Sequence, residues 1–166
     1  MVSDQTRNDV WQDLLDVTRL VRYYGALSDR HRRNHSSIRF LLLAAAAGGI
    51  AALLDLLPQI VQLIAGGLIA LLVAWDFVSD YAKKAAVLHT INIECGLLEI
   101  EWRELWNEAN DPEANDAEVR EKNRRLAERI SYVTARAGDA NIPENRKLNE
   151  ECEKSAYKVI QDKYAA

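Results

Sequence analysis

Hydrophobic and polar residues are segregated along this chain rather than mixed. From Phe40 to Trp75, a run of 36 residues, the one charged side chain is Asp55, near the middle and close to Pro58. An apolar run of that length with a polar, proline-marked turn at its centre is the pattern of two helices that each cross a bilayer. The spacing predicts a first span over 38–57 and a second over 59–78. Trp75, Phe77 and Tyr81 stand where an interfacial aromatic belt is expected. Ala44, Gly48 and Ala52 on the first span, and Gly66, Ala70 and Ala74 on the second, recur every four residues. Each row therefore lies on one helix face. Small residues in that arrangement let two backbones approach closely, so these six are the candidate packing positions between the spans.

The flanks carry a different periodicity. Val10, Trp11, Leu14, Leu15, Val17, Leu20, Val21 and Tyr24 recur at steps of three and four, which predicts an amphipathic helix from about Asp4 or Asn8 to about Arg33. Asp9, Asp13 and Asp16 suit its positive N-terminal end, and Gly25 marks a bend or break. No proline or glycine interrupts the chain from Leu68 to Cys95, so the second span is expected to run on into a long helix over about 79–108. A heptad-like seam follows that helix: Ala70, Ala74, Phe77, Tyr81, Lys84, Leu88, Ile91, Cys95, Leu98, Trp102 and Leu105. Leu88, Ile91, Cys95, Leu98, Trp102 and Leu105 are its candidate bundle or oligomer positions. A second row, Ala86, Ile93, Leu97 and Ile100, points almost the opposite way. A helix apolar on two sides must be covered on two sides, by further helices of its own chain or by a neighbouring copy.

Asn107–Asn115 reads as a turn. Helices follow over about 115–137, with Val119, Leu126, Ile130 and Val133, and over about 143–164, with Leu148, Cys152, Ala156, Val159 and Ile160. The expected fold is all-α, in three regions. Residues 1–37 form an amphipathic, Arg-rich leader; 38–78 a transmembrane hairpin; and 79–166 a cytoplasmic helical bundle.

Charge orients this arrangement. The chain has 166 residues and a net charge of −4, but Arg19, Arg22, Arg30, Arg32, Arg33 and Arg39 precede the apolar run, and Lys83 and Lys84 follow it. Positive residues stay on the cytoplasmic side, which places both termini inside. Arg30, Arg32, Arg33, Arg39, Lys83 and Lys84 are candidate contacts for anionic lipid or another anionic ligand. Asp76 and Asp80 share a face at the inner end of the second span. They are either a candidate acidic pore mouth or surface acids paired with Lys83, Lys84 or Arg39. Cys95 and Cys152 fall at apolar positions in a reducing compartment and read as buried thiols.

Catalytic chemistry finds no footing. No glycine-rich phosphate loop, nucleophile elbow, HExxH or CxxC occurs. His31 and His35 are four residues apart, but arginines surround them and no third ligand is near, so no metal site is expected. Glu94, Glu99, Glu101, Glu104 and Glu108 read as a solvated helix face. No enzyme activity, cofactor or nucleic-acid partner is expected.

The order of these elements resembles the SLATT family of bacterial two-transmembrane effectors. An amphipathic leader with Trp11, Leu14, Leu15, Arg19 and Tyr24 comes first. The Arg- and His-rich stretch 30–39, the hairpin Phe40–Trp75 with Pro58 at its turn, and a long helix over 80–106 follow. The resemblance covers about two thirds of the chain. It implies an effector that disrupts or forms pores in the bacterial inner membrane in antiphage defence, with sensing left to a cytoplasmic sensor protein or a signal nucleotide; the two-sided long helix adds the expectation of a homo-oligomer. It supplies no catalytic residues. Two alternatives keep the same elements: a non-conducting membrane anchor that recruits a cytoplasmic partner, and a latent soluble bundle that inserts when triggered.

Overall fold

A computed structural model describes residues 1–53 and 59–164, with side chains described throughout except at 47–53, 59, 61–63, 65 and 77. Its elements are α1 (Asp4–Leu53), α2 (Gln59–Ser79), α3 (Tyr81–Ala109), α4 (Asp116–Asp139) and α5 (Arg146–Tyr164), and the described residues contain no strand. The chain divides into two compact units, Met1–Leu27 with Ala86–Ala166, and Ser28–Ala85. The expected turn at Asp55 and Pro58 lies outside the described residues.

Local chemistry sets the helix ends. Ser3 precedes α1, and its Oγ accepts from the Thr6 amide at 3.2 Å, which satisfies one of the donors a helix start leaves open. The Ser3 amide in turn donates to Asp116 Oδ1 at 2.9 Å, tying the chain start to the first turn of α4. Asn115 caps α4, accepting from the Ala117 amide at 3.0 Å. Asn145 caps α5, accepting from the Leu148 amide at 3.1 Å, so this helix begins at Arg146 rather than near Pro143. The α4–α5 turn uses Asn141, at φ 54, for its left-handed residue. Gly138, just past the expected helix end at 137, stays helical. Asparagine is the usual second choice after glycine for that conformation.

Two expected boundaries move. The leader and the first span are not separate helices: α1 continues through Gly25 and Arg33 to Leu53. One glycine in a helix costs only about 1 kcal/mol relative to alanine. This one gives α1 room beside α3, where an added Cβ would stand 3.3 Å from Asn92 Oδ1. Conversely, α2 does not run unbroken into α3, because Asp80 adopts φ 47 between them. Aspartate tolerates the left-handed region better than most residues. The break leaves its own groups paired: the Asp80 amide donates to Asp76 O at 3.2 Å, and Asp80 O accepts from the Lys84 amide at 3.1 Å.

In the unit formed by Met1–Leu27 and Ala86–Ala166, the core gathers on one face of α3. Leu88, Ile91, Cys95, Leu98, Trp102, Leu105 and Ala109 are all buried there. They belong to one cluster with Val10, Leu14 and Val17 of α1, Val119, Leu126 and Val133 of α4, and Cys152 and Ile160 of α5. Trp102, 1% exposed, donates its indole N–H to Asn123 Oδ1 at 2.8 Å. Asn123 Nδ2 donates to Asp13 Oδ2 at 2.7 Å. This chain of bonds joins α3, α4 and α1 and satisfies the polar groups that packing draws inward. Trp11, Trp106 and Tyr164 close one side, with ring centroids 4.9 to 6.4 Å apart.

An ion-pair ladder sets the register of α3 against α4. Glu94, Glu101 and Glu108 recur every seven residues and meet Arg136, Arg129 and Lys122. Lys122 Nζ lies 2.6 Å from Glu108 Oε1, and Arg129 Nη2 donates to Glu101 Oε1 at 2.8 Å. The residue numbers fall on one helix as they rise on the other, which is the signature of antiparallel packing. Half-exposed pairs of this kind contribute about 0.2–1 kcal/mol each. Their larger role is selective, since a slipped register would separate all three at once.

Two outcomes test this core. Trp102→Ala is expected to destabilise the fold by about 3–5 kcal/mol. Asn123→Leu should cost about 1–3 kcal/mol by stranding the indole N–H. Both are read from urea-unfolding midpoints. Burial pushes the Asp13 carboxyl above its ordinary 3.8, with Asn123 opposing and Asp16 and Asp9 assisting. The folded chain then binds more protons than the unfolded chain just above pH 3.8, so stability falls as pH rises through that window and stays reduced at neutral pH. Asp13→Asn is therefore expected to raise the urea-unfolding midpoint at pH 7, with the difference shrinking as the pH falls toward the ordinary carboxylate range.

Candidate functional site

The unit Ser28–Ala85 is built from the second part of α1, from α2 and from the start of α3. Most of its described large apolar side chains face outward. Phe40, Leu43, Ile60, Ile64, Leu68, Leu71, Val73, Trp75 and Val78 are each more than half exposed. Ile38 is buried, and Leu42, Ala45, Ile69 and Leu72 are half-covered. The candidate packing residues Ala44, Gly66, Ala70 and Ala74 are exposed, and a Cβ added at Gly66 would meet nothing within 4 Å. Gly48 and Ala52 lie among the residues whose side-chain placement is not described. Among the described residues no helix is long and apolar enough to cross a membrane.

At the polar end of this unit the charged candidates separate into two sets. His35 Nδ1 lies 3.5 Å from Asp76 Oδ1, a loose contact rather than a hydrogen bond. The His31 ring packs 5.5 Å from that of Tyr81. Burial, with Lys84 and Arg30 nearby, lowers the His31 pKa and keeps that ring neutral. Ser28 Oγ donates to Ala85 O at 3.1 Å and fastens α1 to α3 within the unit. Asp80 stands 4.0 Å from Lys83. Asp76 and Asp80 thus each have a basic neighbour at hand. Arg30, Arg32, Arg33 and Arg39 are exposed, and among the described residues they pair with no acid. Lys83 is exposed and Lys84 half-buried. The cationic candidates therefore present guanidinium groups to the surroundings, and Arg binds phosphate and carboxylate in a planar, two-pronged way. No group of three or more metal-ligating side chains occurs among the described residues.

The other unit has one unpartnered face. The seam Leu88, Ile91, Cys95, Leu98, Trp102 and Leu105 is consumed by the core. On the opposite side of α3, Ile93, Leu97 and Ile100 are half exposed, and Ala86 is exposed. Between α3 and α4 lies an open groove of about 620 Å³ lined by Glu94, Leu97, Arg129, Tyr132 and Val133 among others. Comparison with protein-family models, with curated proteins and with solved structures finds no match. The functional reading therefore comes from this chain's own surfaces.

Several features of those surfaces escaped the sequence reading. Glu94, Glu101 and Glu108 are partners of α4 rather than a solvated face, and Glu99 accepts from Thr18 Oγ1 and pairs with Arg103. Their seven-residue spacing, matched by Lys122, Arg129 and Arg136, was the available signal. Tyr132, 76% exposed, joins the groove. It stands in sequence between Ser131 and the buried Val133, off the buried stripe of α4.

Cys95 and Cys152 are free and buried. Burial, reinforced by Glu94, pushes the Cys95 thiol up to about 12. Since the thiolate is the reactive form, native protein at pH 8 is expected to leave Cys95 unmodified by a disulfide reagent. Adding denaturant should release it, and mass spectrometry of the labelled peptides checks both states.

Proposed function

We propose that this chain is a membrane effector. The unit Ser28–Ala85 enters the bilayer, and the helical bundle stays in water on the cytoplasmic face and assembles copies. In the form the SLATT resemblance implies, the assembly permeabilises the bacterial inner membrane during antiphage defence. It does so on a signal from a cytoplasmic sensor protein or a nucleotide.

One observation carries the reading: the outward-facing apolar side chains between Phe40 and Val78. Water-soluble monomers rarely expose contiguous apolar patches beyond a few hundred Å², whereas acyl chains solvate such a surface at no cost. The sequence of Phe40–Trp75, with Asp55 its one charge, supports the same view. So do Arg30, Arg32, Arg33 and Arg39, exposed at one end where anionic headgroups would meet them.

A second reading, the non-conducting anchor, has its own support. Asp76 is the one ionisable group on α2, and it leans on His35, so no described side chain of that helix offers an ion a polar path. Induction in bacteria with a potential-sensitive dye separates the two. Collapse of the membrane potential is expected for the effector, and an undisturbed potential with the protein in the membrane fraction favours the anchor. Release by alkaline carbonate without detergent would defeat both and leave the latent soluble bundle. The cationic end gives a further expectation. Replacing Arg30, Arg32 and Arg33 with Gln should weaken binding to vesicles rich in anionic lipid by about 1 kcal/mol per residue. Neutral vesicles should show little change, and cosedimentation measures both.

A further inference from the structure

The arginines that precede the apolar run do not share one side of their helix. Within the unit Ser28–Ala85, Arg32, Ser36, Arg39 and Leu43 stand on α1 at steps of four, three and four, which places them along one face. Arg30 points almost the opposite way, and Arg33 about a quarter turn aside. All four side chains of the face are exposed, Leu43 by 71%. Among the described residues neither Arg32 nor Arg39 pairs with an acid. Asp29, the acid nearest to them in sequence, lies about two turns before Ser36.

Two guanidiniums here flank a hydroxyl, and each guanidinium is a planar fork matched to the oxygens of a phosphate. Arg32 and Arg39 are about 10 Å apart along the axis, a gap that two long side chains close around a tetrahedral anion. Helical side chains lean toward the N-terminus, so Arg39 reaches back over Ser36 and away from the apolar part of the helix. Arg32, exposed and unpaired, has the rotamer freedom to meet the same anion from the other side. The Ser36 hydroxyl supplies a donor between them. Leu43 continues the face in the apolar direction. A free anion has no use for that neighbour, whereas a lipid presents an anionic headgroup and then an acyl chain in the same order.

We propose that this face holds one anionic phospholipid, with its phosphodiester between Arg32, Ser36 and Arg39 and its chain along Leu43. The site rests on the bilayer placement proposed above and adds to it a specific contact. The headgroup is held by hydrogen-bond geometry on one face, and Arg30 and Arg33 contribute charge alone.

Charge-preserving variants of the full chain separate geometry from charge. The protein is purified in a neutral detergent and titrated with phosphatidylglycerol, and native mass spectrometry counts the lipid bound per chain. Arg32→Lys with Arg39→Lys is expected to weaken binding about tenfold, the loss of a charge-assisted hydrogen bond, although no charge changes. Arg30→Lys with Arg33→Lys is expected to leave it unchanged. Ser36→Ala should weaken it several-fold, and Ser37→Ala, off the face, not at all. Equal binding by the two lysine pairs would overturn the inference, because summed charge alone would then govern. Soluble glycerol phosphate tests the source of the phosphate. It is expected not to compete, and displacement of the lipid by an equal concentration of it would mean a free-anion site and overturn the lipid assignment. Helical circular dichroism checks that these exposed substitutions leave the fold intact. Carbonate extraction of bacterial membranes keeps the two ideas apart. A retained protein with equal lysine pairs sinks the headgroup site alone, and one that washes off yet keeps the Arg32 and Arg39 preference sinks bilayer entry alone.

Discussion

The main buried cluster of the unit formed by Met1–Leu27 and Ala86–Ala166 gathers on one stripe of α3. That stripe, from Leu88 to Ala109, contacts apolar residues from α1, α4 and α5 in a single cluster. Burial of an apolar face, rather than helix propensity, supplies most of the stability of such helices. The constraint then passes outward. Trp102 brings a polar N–H into the core, Asn123 must satisfy it, and Asp13 must satisfy Asn123. One large side chain thereby fixes the rotation of two neighbouring helices as well as filling volume.

The polar surface adds specificity where the core adds energy. Apolar stripes of Val, Leu and Cys accept small slips at modest cost, because aliphatic side chains repack. The Glu94–Arg136, Glu101–Arg129 and Glu108–Lys122 pairs do not share that tolerance, being spaced one heptad apart on both helices. The Ser3–Asp116 bonds act similarly at the chain start, where they lower the Asp116 pKa to about 2 and hold that carboxylate charged as an acceptor. Weak interactions placed at the only register that satisfies all of them choose among arrangements of nearly equal burial.

How much of this was legible in the sequence follows from which forces are periodic. The inner stripe of α3 was readable residue by residue, because burial on one helix face imposes spacing that no other cause mimics. The helical start near Asn115 was readable from the Asn- and Pro-marked turn before it, and that of α1 only as Asp4 or Asn8. The continuity of α1 was not, since Gly25 signals a break locally and its real reason, the close passage of Asn92, is a contact between distant residues. The break at Asp80 was hidden for the opposite reason: aspartate in a left-handed conformation leaves no mark in a sequence free of glycine and proline. The small-residue rows were visible as a pattern, but the exposed positions of Ala70 and Ala74 depend on which face of α2 meets α1, and an all-apolar segment carries no moment to say so.

The same asymmetry underlies the proposal that the two units meet different solvents. In the bundle, the described parts of α1, α4 and α5 sort charged and apolar residues to opposite sides, as water requires. In Ser28–Ala85 the sorting runs along the chain instead, with Arg30 to Arg39 gathered at one end and apolar side chains displayed around the described remainder. Sorting along a helix has no use in a uniform solvent, because it leaves apolar surface wet at every rotation. It has a use where the solvent itself changes along the helix, from headgroup to acyl chain. An axial gradient in the sequence that would match the axial gradient of a bilayer is the physical argument behind the proposal that this unit enters lipid.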